Sequence, residues 1–444
     1  MDILEKASKM LWKHPLCNNC LGRQFALLGH DMQNDERGKA IKTLLTLKAH
    51  ALMHSKKKEA MRTLRNLATN GCFEAAKAIL PKTTKHILRK EIPKTCFLCE
   101  DSFRLVDELA AKAIGKLKEY EYHSFLVGIK LPVTVEERED EFKAEFKVCH
   151  SENMRNEFGR IIGKKIAEHN GKTVEHKKPE VVALVNPLTG QVKLQINPLY
   201  ITGNYRKLIR GIPQSKWLCP NCRGEGCGNC DWTGKMYQES VEEITGTPFI
   251  DATGGTETAF HASGREDIDA RMLGKGRPFV TEIKEPRKRF LDLKKLEETI
   301  NSYAEGKVEV SNLRFADKDI VRKLKRGESS QKEYRVIIEF EKEITAEDMR
   351  LLEKKLIKKA IKQKTPTRVL HRRADLTREK YIYEVKVKKL SPKKAKMKIR
   401  CQGGLYVKEL VTGDSGRTEP SISRTLKNKA EPMELDVLNV FIKS

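Results

Sequence analysis

Four Cys-x-x-Cys pairs constrain this chain more than any other feature: Cys17 with Cys20, Cys96 with Cys99, Cys219 with Cys222, and Cys227 with Cys230. A two-residue spacer lets both thiolates of a pair face one ion, and two pairs complete a tetrahedral four-sulfur shell. Only Arg223-Gly224-Glu225-Gly226 separates the last two pairs, so 219–230 reads as one compact site whose spacer must double back. Cys17, Cys20, Cys96 and Cys99 form a second candidate site, with its halves far apart in sequence. Four thiolates leave no open coordination position, so zinc in a structural role is expected at both. The first site would pin the N-terminal region closed on itself. Cys72, Cys149 and Cys401 stand alone.

Such paired cysteines suit a reducing compartment better than a disulfide framework does. No stretch approaches the roughly 20 apolar residues of a transmembrane helix. The opening Met-Asp-Ile-Leu-Glu-Lys lacks the apolar core of a signal peptide. A cytoplasmic protein with no membrane partner is expected.

The chain of 444 residues is long enough for two to four domains. Its patterning predicts an α+β protein in three regions. Residues 1–100 read as helical, with apolar positions at helical spacing over 38–54 and again over 56–80. Residues 101–235 read as mixed α/β: strands at 125–131 and 142–148, a helix at 157–168, and a hairpin of 181–185 with 192–196 around Asn186-Pro187-Leu188-Thr189-Gly190. This region ends in the 219–230 cluster. Residues 236–444 alternate strand-like runs (279–283, 307–313, 334–340, 381–387, 397–400, 438–441) with helices. The clearest helices are 292–299 and 346–362, the latter behind Thr345 as N-cap. A mixed sheet flanked by helices is the expected architecture there.

The net charge is +26, from 87 Lys+Arg against 61 Asp+Glu, which points to a polyanion partner. The excess is concentrated: 351–400 holds 19 Lys/Arg and 4 Asp/Glu. Phosphate contacts by such a surface release counterions, so binding should weaken steeply with salt.

An acid-rich segment stands out within this basic chain, running from His261 through Gly264-Arg265-Glu266-Asp267-Ile268-Asp269 to Arg277-Pro278-Phe279. Its glycines fit neither a dinucleotide-binding fingerprint nor a P-loop. Gly264-Arg265-Glu266-Asp267 resembles the Gly-Arg-x-Asp signature of pseudouridine synthases, and the longer run resembles their archaeal and eukaryotic Pus-ten family. Further segments resemble that family in order: Lys332-Glu333-Tyr334, then Gln363-Lys364-Thr365-Pro366-Thr367-Arg368-Val369-Leu370-His371-Arg372-Arg373, then Gly404-Leu405-Tyr406-Val407-Lys408-Glu409 and Gly413-Asp414-Ser415-Gly416-Arg417-Thr418. Asn197 to Tyr205 resembles the end of the family's THUMP-like RNA-binding region.

The resemblance implies a helical zinc-pinned accessory region, a THUMP-like region and a pseudouridine-synthase domain. It implies isomerisation of uridines 54 and 55 in the T-arm loop of tRNA, with no organic cofactor and no obligate protein partner. Asp267 matches the catalytic carboxylate, acting either as nucleophile or in abstracting a ribose proton on a glycal route. Asp269, two residues on, is its rival. Lys408 matches the cation that pairs with the carboxylate, Val407 would pack beneath the uracil, and Tyr406 would touch substrate. Tyr334 would stack on the base and take the C5 proton. Arg265 would hold phosphate or fill the gap left by a flipped nucleotide. Arg368, His371, Arg372 and Arg373 would contact RNA phosphates.

Two other readings compete. A non-catalytic zinc RNA-binding factor explains the charge and the cysteines but not the ordered acidic and aromatic motifs. A different THUMP-bearing enzyme, a methyltransferase or thiolase, needs a glycine-rich turn for its cofactor, and 236–444 contains none.

Overall fold

Apolar residues three and four apart build the first part of the chain. The computed structural model describes residues 2–82, 84–85, 94–326 and 331–441; the side chains of 325, 326 and 372 lie outside the description. Helix Ile3–Lys13 buries Ala7, Met10 and Leu11. Helix Asn34–Ala51 buries Ile41, Leu45 and Ala49 and opens on a capping box between Gln33 and Glu36. The expected helix over 56–80 is two, Lys57–Thr69 and Glu74–Ile79. They part at Asn70, the C-cap of the first, whose side-chain amide donates to the Leu11 carbonyl oxygen at 2.8 Å.

The chain divides into two compact units, the first ending at Asn197 and the second starting at Pro198. In the first unit, β1 (Ser124–Ile129) lies between β2 (Thr173–Val174) and β3 (Val181–Asn186), parallel to both, and β4 (Gln191–Ile196) pairs antiparallel with β3. The expected hairpin is therefore present. The expected strand over 142–148 is not: it falls largely in helix Val133–Glu145, where Val135, Glu139 and Phe142 are buried at helical spacing. Helix Met154–Asn170 follows and caps the sheet with Phe158, Ile162 and Ile166.

The second unit is built on one sheet. Its strands are β5 (Leu199–Lys207), β6 (Glu257–Ala262), β7 (Ala270–Lys284), β8 (Val308–Ala316), β9 (Gln331–Phe340), β10 (Ala360–Lys364), β11 (Thr377–Ser391), β12 (Lys394–Gln402), β13 (Thr418–Glu419) and β14 (Ala430–Phe441). Their order is β13-β10-β11-β12-β9-β14-β7-β5-β8, with β6 on β7. All pairings are antiparallel except β14 with β7. The boundary expected at 235/236 thus falls inside this unit, because β5, read as the end of an RNA-binding region, is hydrogen-bonded between β7 and β8.

Two apolar clusters support the sheet. Helices Val241–Thr253 and Leu293–Tyr303 cover one half, and helices Ala346–Leu356 and Val407–Thr412 cover the other; Tyr334 packs against both clusters. The helix expected over 346–362 stops at Leu356, since Lys358 takes a left-handed turn (φ 53°) into β10. Thr345 is its N-cap, as expected, accepting from the Asp348 amide. No helix among the described residues is long and apolar enough to cross a membrane.

Candidate active site

The acid-rich segment leaves the sheet at Ala262 and re-enters it at Ala270, as the loop joining β6 to β7. Asp267 and Asp269 lie in a turn there, not in a strand; the Ala270 amide donates to the Asp267 carbonyl at 3.0 Å. The loop forms part of an open cleft of about 1200 Å³ in the second unit.

Three devices fix this loop. Glu266 turns inward from its middle. Its carboxylate pairs with the Arg277 guanidinium at 2.9 Å, with side-chain exposures of 0% and 1%. Tyr205 donates its hydroxyl to the same carboxylate at 2.9 Å and accepts from the Gln214 amide at 2.6 Å, while that amide also donates to the Gly264 carbonyl at 3.0 Å. Secondly, the buried Lys207 ammonium donates to the carbonyl oxygens of Ile212 (2.8 Å), Asp267 (3.2 Å) and Ile268 (3.0 Å). Burial pulls its pKa down to about 8, against the pull of Glu266 and Asp269. Thirdly, Arg210 donates to the Asp269 carbonyl at 2.7 Å and to buried Asp436 at 2.7 Å. Gly264 has φ 78°, and a Cβ there would come within 2.9 Å of Lys332 Nζ, so this position favours glycine.

The carboxylate of Asp267 faces the cleft, one-third exposed. Arg368 approaches it end-on, with Nη2 at 3.1 Å and Nη1 at 3.4 Å from its two oxygens, and Lys408 Nζ stands 3.4 Å away. Lys408 is closer to Asp269, at 2.6 and 2.7 Å. Burial raises the Asp269 pKa, but the Lys408 ammonium outweighs it and holds this carboxyl below its ordinary value. The expected pair of carboxylate and lysine is present, yet Lys408 is shared, and Arg368 makes the shorter contact with Asp267.

Arg368, read from sequence as a phosphate contact, therefore lies at the carboxylate. The basic segment around it folds into the site. Gln363, buried on β10, donates to the Tyr406 carbonyl and accepts from the Tyr406 amide, both at 2.9 Å. Arg373 donates to the Tyr406 hydroxyl at 2.9 Å. His371 is exposed, and the side chain of Arg372 lies outside the described residues.

Tyr334 lines the cleft from β9, Val407 is buried beneath it, and Arg265 is exposed on the loop. Burial pushes the Tyr334 phenol pKa upward, so it is protonated at neutral pH. It can donate a hydrogen bond or relay a proton, but it does not stand ready as a phenolate. The residues that sequence reasoning passed over are Glu266, Arg277, Gln363 and Glu409, all inside quoted motifs, together with Lys207.

Each cysteine group could hold one metal ion. Sulfurs around an ion at ~2.3 Å would stand roughly 3.8 Å apart. Cys17 and Cys99 are 3.7 Å apart, and in the second group Cys219–Cys227, Cys222–Cys230 and Cys227–Cys230 are 3.9, 3.8 and 3.8 Å. Backbone amides point at the sulfurs, Gly226 at Cys222 and Gly234 at Cys230 among them. The short spacer closes because Gly226 takes φ 95°, where a Cβ would meet the Trp232 carbonyl at 2.8 Å.

Comparison with known proteins identifies the family. A family model described as "Pus10, C-terminal" matches residues 200–441, and one described as "Pus10 THUMP domain, archaeal" matches 109–186. The chain is 41% identical to the tRNA pseudouridine synthase Pus10 of Methanothrix thermoacetophila, over 99% of this chain and 94% of that one. The corresponding figures are 44%, 97% and 93% for the protein of the same name from Methanocaldococcus jannaschii, and 39%, 99% and 98% for that from Pyrococcus furiosus. Among solved structures, a Cbf5-Nop10-Gar1 complex matches 46% of each chain at 12% identity with a TM-score of 0.30, too slight to bear on the reading.

Proposed function

The chain belongs to the Pus10 family of tRNA pseudouridine synthases, and from that premise we propose that it isomerises uridines 54 and 55 in the T-arm loop of tRNA with Asp267 as the catalytic carboxylate. The observation that carries this reading is the Asp267 carboxylate facing an open cleft, between Arg368 and Lys408, with Tyr334 and Val407 also lining it. Such a cleft accepts a flipped uridine, not a base within a stack.

The reaction breaks the C1′–N1 bond, turns the uracil and forms a C1′–C5 bond; the C5 proton leaves and N1 gains one. Asp267 would serve C1′ as nucleophile, or remove a ribose proton on the glycal route. Its two cationic neighbours, Arg368 and Lys408, stand 3.1 and 3.4 Å from it. Tyr334 would stack on the base, and its neutral hydroxyl would relay the C5 proton. Val407 would lie beneath the uracil, Tyr406 would touch the nucleotide, and Arg265 would fill the stack it leaves. His371, Arg372 and Arg373 would hold phosphates, and the THUMP region would supply a second grip on the tRNA. Zinc is the metal proposed for both cysteine groups, where its part is to hold the fold. No organic cofactor, membrane or further protein chain enters the proposed scheme, and the cytoplasm is the compartment proposed for it.

The test is pseudouridine mapping in unmodified tRNA transcript incubated with pure protein, beside transcripts carrying cytidine at 54 or at 55. Product at both positions supports the proposal. A chain that binds the transcript and makes no product is a binding factor, and modification only outside the T-loop refutes the assigned target.

A further inference from the structure

We propose that Arg368 and Glu409 are positioning residues, which hold the Asp267 carboxylate in its reactive orientation. The proposal rests on Asp267 being the catalytic group, as argued above.

Three segments meet here: the turn bearing Asp267, the turn Thr367–Arg372 and the helix Val407–Thr412. One guanidinium joins them. Its two terminal nitrogens fork onto Asp267 at 3.1 and 3.4 Å, and its Nε donates to Glu409 Oε1 at 2.7 Å. All three nitrogens are thereby engaged by carboxylates, whereas a phosphate ligand would keep its fork free. The turn is anchored from behind as well. The Thr367 amide donates to Asp414 at 3.0 Å, and Val369 is buried.

Glu409 is the telling partner. Its residue exposure is 6%, and its second oxygen is buried without a hydrogen-bond partner among the described residues. Placing a carboxylate in such a position costs free energy, and Arg368 is the cation that offsets it. The result is an alternating chain of charges: Asp269, Lys408, Asp267, Arg368, Glu409. Asp269 draws Lys408 to itself, so orientation of Asp267 falls to Arg368. A planar fork fixes the carboxylate plane, which a point-charge ammonium cannot do.

The test uses the full chain, unmodified tRNA transcript and four variants: Arg368→Lys, Arg368→Gln, Glu409→Gln and Glu409→Leu. Single-turnover pseudouridine formation at saturating tRNA is measured beside the tRNA Kd across a salt series. Loss of the fork should slow turnover about 100-fold in Arg368→Lys, the scale of a misplaced reacting group. In Arg368→Gln, which removes the cation, Kd should stay within about twofold and the salt slope should not change, since no phosphate contact is lost. Glu409→Gln keeps the acceptor for Nε and should lose much less than Glu409→Leu. The proposal is overturned if Arg368→Lys turns over like wild type, or if the loss in Arg368→Gln lies in Kd with a salt slope lower by about 0.7–0.9, the mark of one phosphate contact. Glu409→Gln falling as far as Glu409→Leu also counts against it. A wild-type protein that makes no pseudouridine would instead refute the functional reading itself.

Discussion

Replacing Arg277 by Met tests whether the buried ion pair beneath the loop that carries Asp267 holds that loop in place. The guanidinium is 1% exposed and its partner Glu266 is 0% exposed, at 2.9 Å. Removing the cation leaves a carboxylate shut away from water, with only the Tyr205 hydroxyl donating to it among its neighbours described above. Breaking a buried pair in this way costs about 3–5 kcal/mol. Glu266→Gln strands the guanidinium and should cost a similar amount. For a unit of this size each kcal/mol lowers Tm by about 2–4 °C, so either variant should melt about 10 °C earlier. The double variant removes both charges and both desolvation penalties. It should therefore be less destabilised than the sum of the singles by about 3 kcal/mol or more. Thermal unfolding of the full chain, following the transition of the second unit, measures all four corners of the cycle. Singles that each cost under about 1 kcal/mol, or that add without coupling, would refute the argument that this pair fixes the loop.

Lys207 makes a pH-dependent prediction. Its folded pKa is about 8 against an ordinary 10.5, so the fold carries the full cost of a buried ammonium below pH 8. Between about pH 8 and 10.5 the folded state releases the proton that the unfolded chain retains, and stability rises with pH by up to about 3 kcal/mol. Lys207→Met should lose that rise, and parallel pH curves for the two proteins would contradict it. Tyr334→Phe should slow single turnover about 100-fold and leave tRNA affinity within about twofold; an unchanged rate would remove the hydroxyl from the chemistry. Cys96→Ser should lower the melting temperature of the first unit without slowing turnover by the folded protein. Elemental analysis of wild type should find two zinc equivalents per chain, and fewer would contradict the assignment of both groups.

Much of this was legible in the sequence because the signals were local. Cys-x-x-Cys spacing gave the four sulfur pairs, and their short N–H···S turns follow from two-residue spacers. The turn at Asn186 to Gly190 announced its hairpin. What stayed hidden was set by long-range packing. The run 142–148 suggested a strand, but Phe142 shares a buried helix face with Val135 and Glu139, and Phe146 caps that helix. Lys358 ends a helix with neither glycine nor proline to mark it. Strand β5 looked like the tail of one region because nothing local records its place between β7 and β8. Arg368 looked like a phosphate ligand because its company is basic, and its true neighbours, Asp267 and Glu409, lie 101 and 41 residues away. Lys207 carried no signal at all, since a lysine gives no sign in sequence of being buried.

The most direct test of the central claim compares wild type with Asp267→Asn, using pseudouridine mapping of unmodified tRNA transcript. The amide keeps the size of the side chain and loses its charge. Wild type should convert uridines 54 and 55, while Asp267→Asn should bind the same transcript and convert neither. Product at either position from Asp267→Asn, or its loss from Asp269→Asn alone, would contradict the assignment of Asp267 as the catalytic carboxylate.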